Sequence, residues 1–539
     1  MLNYNQLLSE LEKRVMALYN NSEAFEQLKV ILDKWNKESF DVISPIDEKT
    51  VYMITYGDSI YEKDINTLET LNKFMDNYLK GIISDIHLLP MFEYTSDDGF
   101  SVVDFRKVDP KLGDFNDINK LKNNYKLMFD FVANHVSKSS DYFKGYIANN
   151  PKYKDFFVEF SEDEDYSNYT RPRTSPLFHE YDNGHKVLTT FSEDQVDVNI
   201  KNSAVFAELT DVLLYYANKG ATSIRLDAIG FLWKESGTTS IHLPQTHEIV
   251  KLWRMIVDYF KPNTQIITET NVPHKENISY FGTEDEANMV YQFALPPLVF
   301  HSFVNGNAKK LSDWAKTINL DSNKITYFNF LSSHDGIGLR PTEGILTEDE
   351  RQTLAKRVKE NGGRVSYKSN PDGSQSIYEL NINYHDALVN KEYDEETQIK
   401  QIMAANAILF TVVGVPAIYY NTLLGSRNDY AGLESSGINR RINREKFEYN
   451  HLVSELENDN RRQTIFKGIQ SLIAMRQENT AFNPYSTQKV LDIHECVFAI
   501  ERHNTKTNEK AQVFVNTSNE VINLEEQKLV LKPFEVVIR

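Results

Sequence analysis

The apolar residues of this chain change their spacing twice. Up to about residue 49 they recur at helical intervals. Leu7, Leu8, Leu11, Val15 and Leu18 share one face, and Phe25, Leu28, Ile31 and Leu32 mark a second helix. From 50 to about 485, short apolar runs alternate with amphipathic helical stretches. The runs expected as strands are 51–57 (VYMITYG), 82–90 (IISDIHLLP), 127–135 (LMFDFVANH), the stretch SIRLD from Ser223, 265–271 (QIITETN), 325–335 (ITYFNFLSSHD) and 415–420 (VPAIYY). Leu68, Leu71, Phe74, Met75 and Tyr78 predict a helix between two of them. So do Val205, Leu209, Val212, Leu213 and Tyr216, and the windows near 246–261 and 398–412. Beyond about 485 the spacing becomes that of short alternating strands: KVLDIHECVFAIER, AQVFVNTS and LVLKPFEVVIR.

Repeated strand–helix units predict an α/β fold, a (β/α)8 barrel of the TIM type with loop-excursion subdomains and a small C-terminal all-β domain. The expected division is a helical N-terminal extension over 1–49, a catalytic barrel over 50–485 and a β domain over 486–539. Two irregular stretches, about 136–195 and about 336–395, read as excursions from the barrel, the first of them an inserted subdomain rich in aromatic and charged residues.

Composition narrows the function. A net charge of −18 argues against nucleic acid or an anionic membrane as the main partner. The start, MLNYNQLLSELEKRV, lacks a basic region followed by an apolar core, and no run reaches the ~18 apolar residues of a membrane span. A single cysteine, Cys496, excludes an intrachain disulfide and fits a cytoplasmic enzyme. Such a chain is expected to act on small molecules, as a monomer or homodimer.

The candidate chemistry lies at the ends of the expected strands. Arg225 and Asp227 are two apart, so they project from one face with Ile224 and Leu226 behind them. Alone, an R-x-D at a strand end is better read as a structural ion pair, because such pairs are common. Glu269 and Asp335 end two further strands, and Asp97 and His135 are expected on the same rim. A retaining glycosidic mechanism uses one carboxylate as nucleophile and a second, about 5–5.5 Å away, as acid and then base; the third, Asp335, is then available to hold sugar hydroxyls. Arg225 is expected to keep Asp227 ionised, whereas Glu269 needs a raised pKa to donate a proton. His135 and His334 would bind hydroxyls, for no H-x-x-x-H or cysteine spacing supports a metal.

These strands resemble those of the α-amylase superfamily, glycoside hydrolase family 13. IRLDAIGF is similar to its nucleophile strand, IITETN to its acid/base strand, FLSSHDG to its third-carboxylate strand and FDFVANH to its N-H strand. SDDGFSVVDFRKVDPKLGDF, RPRTSP, TTFSEDQVDVN, LWKESGTTS, YQFALPPL and RRINRE resemble the sucrose phosphorylase subfamily. The resemblance implies Asp227 as nucleophile, Glu269 as acid/base and Asp335 as transition-state stabiliser. It implies that Asp97, His135, Arg225, His334 and Arg440 hold the glucosyl unit, with Phe191 and Gln195 on the pocket wall. Arg173 and Tyr378 would be loop residues that meet phosphate or the acceptor. The implied reaction is reversible phosphorolysis of an α-glucoside, with inorganic phosphate as co-substrate and no cofactor.

Two positions depart from the sucrose pattern. Tyr378-Glu379-Leu380-Asn381 stands where Y-Q-V-N is usual, and Asn271 where a histidine follows the acid/base. Both belong to the acceptor side. IHLPQTH, ITETNVPH, GGRVSYKSNPDGS and GSRNDYAG resemble instead the glucosylglycerate phosphorylase branch, which implies 2-O-α-glucosylglycerate as the substrate. Phosphorylases of sucrose, sucrose 6-phosphate or glucosylglycerol, and an α-glucoside hydrolase or transglucosidase, are the alternatives at this point. A catalytically inactive binding barrel is more remote, because all three carboxylates are retained. Glu379 fits poorly beside an anionic acceptor.

Overall fold

The computed structural model describes residues 2–369 and 374–539. Part of the 362–374 signature, residues 370–373, therefore lies outside the described residues. Eight parallel strands close into a barrel in chain order. They are β1 (Tyr52–Thr55), β2 (Asp85–Leu88), β3 (Lys126–Phe131), β4 (Ala221–Leu226), β5 (Gln265–Thr268), β6 (Met289–Tyr291), β7 (Thr326–Asn329) and β8 (Val415–Tyr419). Seven of these answer to the apolar runs read from the sequence. The eighth, β6, has only three residues, all buried, which is too short to show a period of two.

The strands are shorter than their apolar runs, and this sets the chemistry. β4 and β5 end one residue before Asp227 and Glu269, yet the neighbouring strands still fix both backbones. The N–H of Asp227 donates to the Phe131 carbonyl and that of Glu269 to the Leu226 carbonyl, each at 3.1 Å. By contrast, β7 ends at Asn329, so Asp335 stands on a loop rather than at a strand end. Asp97 stands on a loop as well. It sits in a turn at φ 53° between the paired strands Phe92–Tyr94 and Val102–Val108.

The chain forms two compact units. One holds the residues through Pro45, His87–Thr270 and Ile278–Val290; the other holds Ile46–Ile86, Asn271–Asn277 and Tyr291–Arg539. In the first, helices Tyr4–Tyr19 and Ser22–Trp35 are tied down by charge as well as by their apolar faces. Arg14 pairs with Glu248 at 2.6 Å, and Asp211 accepts from both Lys34 and the Trp35 indole at 2.7 Å. The excursion after β3 returns as Val196–Asp197, antiparallel to His135–Val136. In the second unit, Ile337–Gly338, Gln375–Asn381 and Arg364–Ser369 form a three-stranded sheet. The C-terminal segment forms a four-stranded antiparallel sheet and a two-stranded one, around a core of Val497, Ala499, Phe514, Ile522, Leu524 and Leu531. No helix among the described residues is long and apolar enough to cross a membrane.

Candidate active site

In the first unit the organising group is Arg225, 1% exposed on β4. Strand register puts it opposite Asp130 of β3. One guanidinium nitrogen, Nη1, donates to Asp130 Oδ1 and to Asp227 Oδ1, the latter at 2.7 Å. The other, Nη2, lies 3.8 Å from Glu269 Oε2. The second oxygen of Asp130 is 2.6 Å from His87 Nε2. Burial lowers the pKa of His87, so that ring adds little positive charge.

One guanidinium thus faces three carboxylates, of which Asp227 is the one expected to be kept ionised by it. Burial pushes the Asp227 carboxyl well above the usual range. Arg225 pulls it down, while Glu269 and Asp130 push it further up. Three negative charges around one guanidinium, out of water, favour keeping a proton within the group. A pair of carboxyls that holds one proton supplies an acid and a nucleophile together. The backbone makes a further link: Ala228, in the left-handed region at φ 46°, donates its N–H to Glu269 Oε2 at 2.9 Å.

The same unit brings Asp97, His135, Phe191 and Gln195 together. Gln195 Nε2 lies 3.2 Å from Asp97 Oδ2 and 3.3 Å from His135 Nε2. The Phe191 ring is 5.2 Å from the His135 ring and 5.4 Å from Phe231. Behind this wall is a buried cation. The ammonium of Lys234 is 2.7 Å from Asn134 Oδ1 and 3.0 Å from Asp197 Oδ2. Asp197 also accepts from the Thr190 N–H and hydroxyl. Burial lowers the pKa of His135, leaving a neutral ring suited to hydrogen-bonding a hydroxyl.

In the second unit Asp335 is fixed from several sides. Its Oδ1 is 2.6 Å from Arg440 Nη1, and His334 Nε2 is 3.6 Å from its Oδ2. The 3-10 segment Asn439–Asn443 and the residue after it strap the loop. Asn443 donates to the Ser333 carbonyl at 3.0 Å and Arg444 to that of His334 at 2.7 Å. Asp335 lines a crevice with Phe293, Phe330, Gly336, Tyr384 and Asn443. Asn271 packs against Gly338, where a Cβ would fall 2.8 Å from its side chain. Tyr378 stands on strand Gln375–Asn381 rather than on a loop, as does Glu379. Arg173, half-buried in the first unit, has no ion pair among the described residues and joins neither cluster.

Sequence reasoning missed His87, Asp130, Asp197 and Lys234. Asp130 left a signal: it is the one charged residue in the apolar run LMFDFV, and a charge kept in such a run needs a partner on the next strand. Lys234 left none, since a lysine beside Glu235 reads as solvated.

Residues 72–360 match the model of the alpha amylase catalytic domain. The chain is 43% identical over 508 residues to a glucosylglycerate phosphorylase of Spirochaeta thermophila, covering 92% of this chain and 86% of that one. It is 45% identical to the Escherichia coli glucosylglycerate phosphorylase, covering 86% and 84% respectively. The crystal structure of a sucrose 6F-phosphate phosphorylase from Thermoanaerobacter thermosaccharolyticum superposes with a TM-score of 0.75 at 22% identity, over 91% of this chain and 97% of that one; this shows a shared fold.

Proposed function

Since the chain belongs to the alpha-amylase family, and within it to the group of the glucosylglycerate phosphorylases, we propose that it is a retaining glycoside phosphorylase acting on 2-O-α-glucosylglycerate. The observation that carries this reading is the near-full-length similarity to two phosphorylases of that substrate, in a chain that keeps Asp227, Glu269 and Asp335.

Asp227 attacks the anomeric carbon of the glucoside. The bond to the glycerate oxygen breaks, and Glu269 gives that oxygen its proton. The products of this half are a β-glucosyl ester on Asp227 and free glycerate. Phosphate then attacks the same carbon, Glu269 takes back a proton and the ester to Asp227 breaks. Two inversions give α-D-glucose 1-phosphate with net retention. The proton-sharing cluster around Arg225 suits this alternation, because the nucleophile must be bare when the acid is charged with its proton.

Asp335 and Arg440 hold the hydroxyls of the glucosyl unit, with Asp97, His135 and His334. Phe191 and Gln195 shape the pocket wall. Lys234 and Asp197 position His135 from behind. Arg173 supplies a guanidinium for phosphate, and Tyr378 and Asn271 face the acceptor. No cofactor takes part; inorganic phosphate is the second substrate. The lone Cys496 supports a reducing cytoplasm as the site of the reaction.

The test is the reverse reaction. With α-D-glucose 1-phosphate and a panel of glycerate, glycerol, fructose and fructose 6-phosphate, glycerate is expected to give the fastest phosphate release and one glucoside per phosphate. Fastest sucrose formation overturns the acceptor assignment, and free glucose as the only sugar product overturns the phosphorylase reading.

A further inference from the structure

Glu379 is the residue that the reaction scheme leaves without a task. A buried carboxylate on the acceptor side repels an anionic acceptor unless it is already engaged. It is 3% exposed and engaged on both of its oxygens. Oε1 accepts the backbone N–H of Gly336, the residue after Asp335. Oε1 and Oε2 lie 3.1 and 3.2 Å from Arg440 Nε. Arg440 presents its Nη1 to Asp335 at 2.6 Å. These contacts close a ring that runs from Glu379 to the Gly336 backbone, through Asp335 to Arg440, and back to Glu379.

The backbone is built for this ring. Glu379 and Leu380 pair with Gly338 and Ile337, so the strand carrying Glu379 is docked on the segment that follows Asp335. A Cβ on Gly336 would lie 2.5 Å from Glu379 Cγ and 2.8 Å from its Oε1. Only a glycine lets the carboxylate reach the main chain there. The negative charge of Glu379 is therefore spent within the protein, and an anionic acceptor meets a carboxylate already compensated by a guanidinium.

We infer that Glu379 is a positioning residue for the glucosyl half of the reaction. It sets Asp335 and Arg440, and it does not contact the acceptor. The inference rests on the roles given above to Asp335 and Arg440. It separates cleanly from an acceptor role, because an acceptor contact has no work to do when no acceptor is present.

The experiment uses α-glucosyl fluoride, which a retaining α-glucosyl enzyme turns over with water alone. Fluoride release thus reads the glucosyl half even if the phosphorylase reading fails, and that failure shows separately, as wild-type enzyme that makes no glucosylglycerate. Glu379→Gln places an amide N–H or loses a charge against Arg440. It is expected to lower kcat for fluoride release by about 10- to 100-fold. The same factor is expected for glucosyl transfer from α-glucose 1-phosphate to glycerate, with KM for glycerate changed by no more than about 2-fold. Glu379→Ala, which removes the buried charge outright, is the second variant and is read in the same way. Wild-type fluoride release with a raised KM for glycerate overturns the inference, as does no change in either quantity. A crystal structure of the wild-type enzyme with glycerate decides the matter if neither variant folds. Glu379 still on Gly336 and Arg440 supports the inference, and Glu379 hydrogen-bonded to glycerate overturns it.

Discussion

Arg225 and Arg440 are both guanidinium groups set between carboxylates, and they are held in different ways. Arg225 belongs to a strand. Its neighbours Asp130 and Asp227 are given by strand register and by the two-residue repeat, and it is 1% exposed. Arg440 belongs to a 3-10 segment, with its side chain 18% exposed, and its partners Asp335 and Glu379 come from separate stretches of chain. A charge buried by a sheet is locked with the fold, whereas one held by a ring of side chains is open to adjustment.

The largest test of this contrast is Asp227→Asn. Loss of the proposed nucleophile is expected to lower kcat at least about 10⁴-fold, measured as glucoside formation from α-glucose 1-phosphate. The same change should stabilise the protein at neutral pH. Asp227 is raised above its unfolded value by burial, so its contribution to stability is full below the unfolded pKa, about 4, and is lost as pH rises through the folded one. Asp227→Asn should therefore raise Tm at pH 7, with the gain vanishing near pH 3.5. Equal Tm values at both pH values would remove the claim that Arg225 is shared too thinly.

Next in size is the stability cost of each arginine. Arg225→Ala leaves buried carboxylates without their cation and is expected to cost about 3–5 kcal/mol in urea unfolding. Arg440→Ala leaves Glu379 buried with the Gly336 N–H as its remaining partner among the described residues, but the guanidinium and Asp335 are partly exposed, so it should cost less, about 2 kcal/mol. Similar costs at the two positions would break the comparison. The smallest effect concerns Glu445, which follows the Arg440 segment and whose pKa burial pushes up to about 7. Its stabilising contribution is present below about 4.3 and is lost as pH rises through 7. Glu445→Gln should raise Tm by about 2–4 °C at pH 8.5 and leave it unchanged at pH 4.

The strand-borne half of the chemistry was legible in the sequence for the same reason that it is rigid. Arg225, Asp227, Glu269 and His135 sit at fixed offsets from apolar runs, and period two tells which of them share a face. Asp130 was legible in principle, but its meaning needed the strand order that sets β3 beside β4. The loop-borne half was not legible from spacing. Asp335 stands six residues past the end of β7; Glu379 comes beside it through the pairing of Ile337 and Gly338 with Leu380 and Glu379, and Arg440 reaches it from a separate 3-10 segment. Glu379, read from the sequence as an awkward neighbour for an anion, proved to face a backbone N–H and a guanidinium. Strand β6 went unseen because three residues carry no periodicity. Lys234 went unseen because nothing in a lysine's sequence context marks it as buried.

Ala228 carries a consequence for how such an enzyme can be altered. Its left-handed backbone turns the N–H after the nucleophile onto Glu269. A bond made by the main chain survives every side-chain replacement except proline, while the left-handed conformation, which costs any residue with a Cβ about 1–2 kcal/mol, is least open to β-branched ones. Random mutagenesis at this position is thus filtered by conformation rather than by chemistry. Libraries aimed at a new acceptor can be spread over Tyr378 and Asn271, with Glu379 kept, while the tie between Ala228 and Glu269 is inherited unchanged.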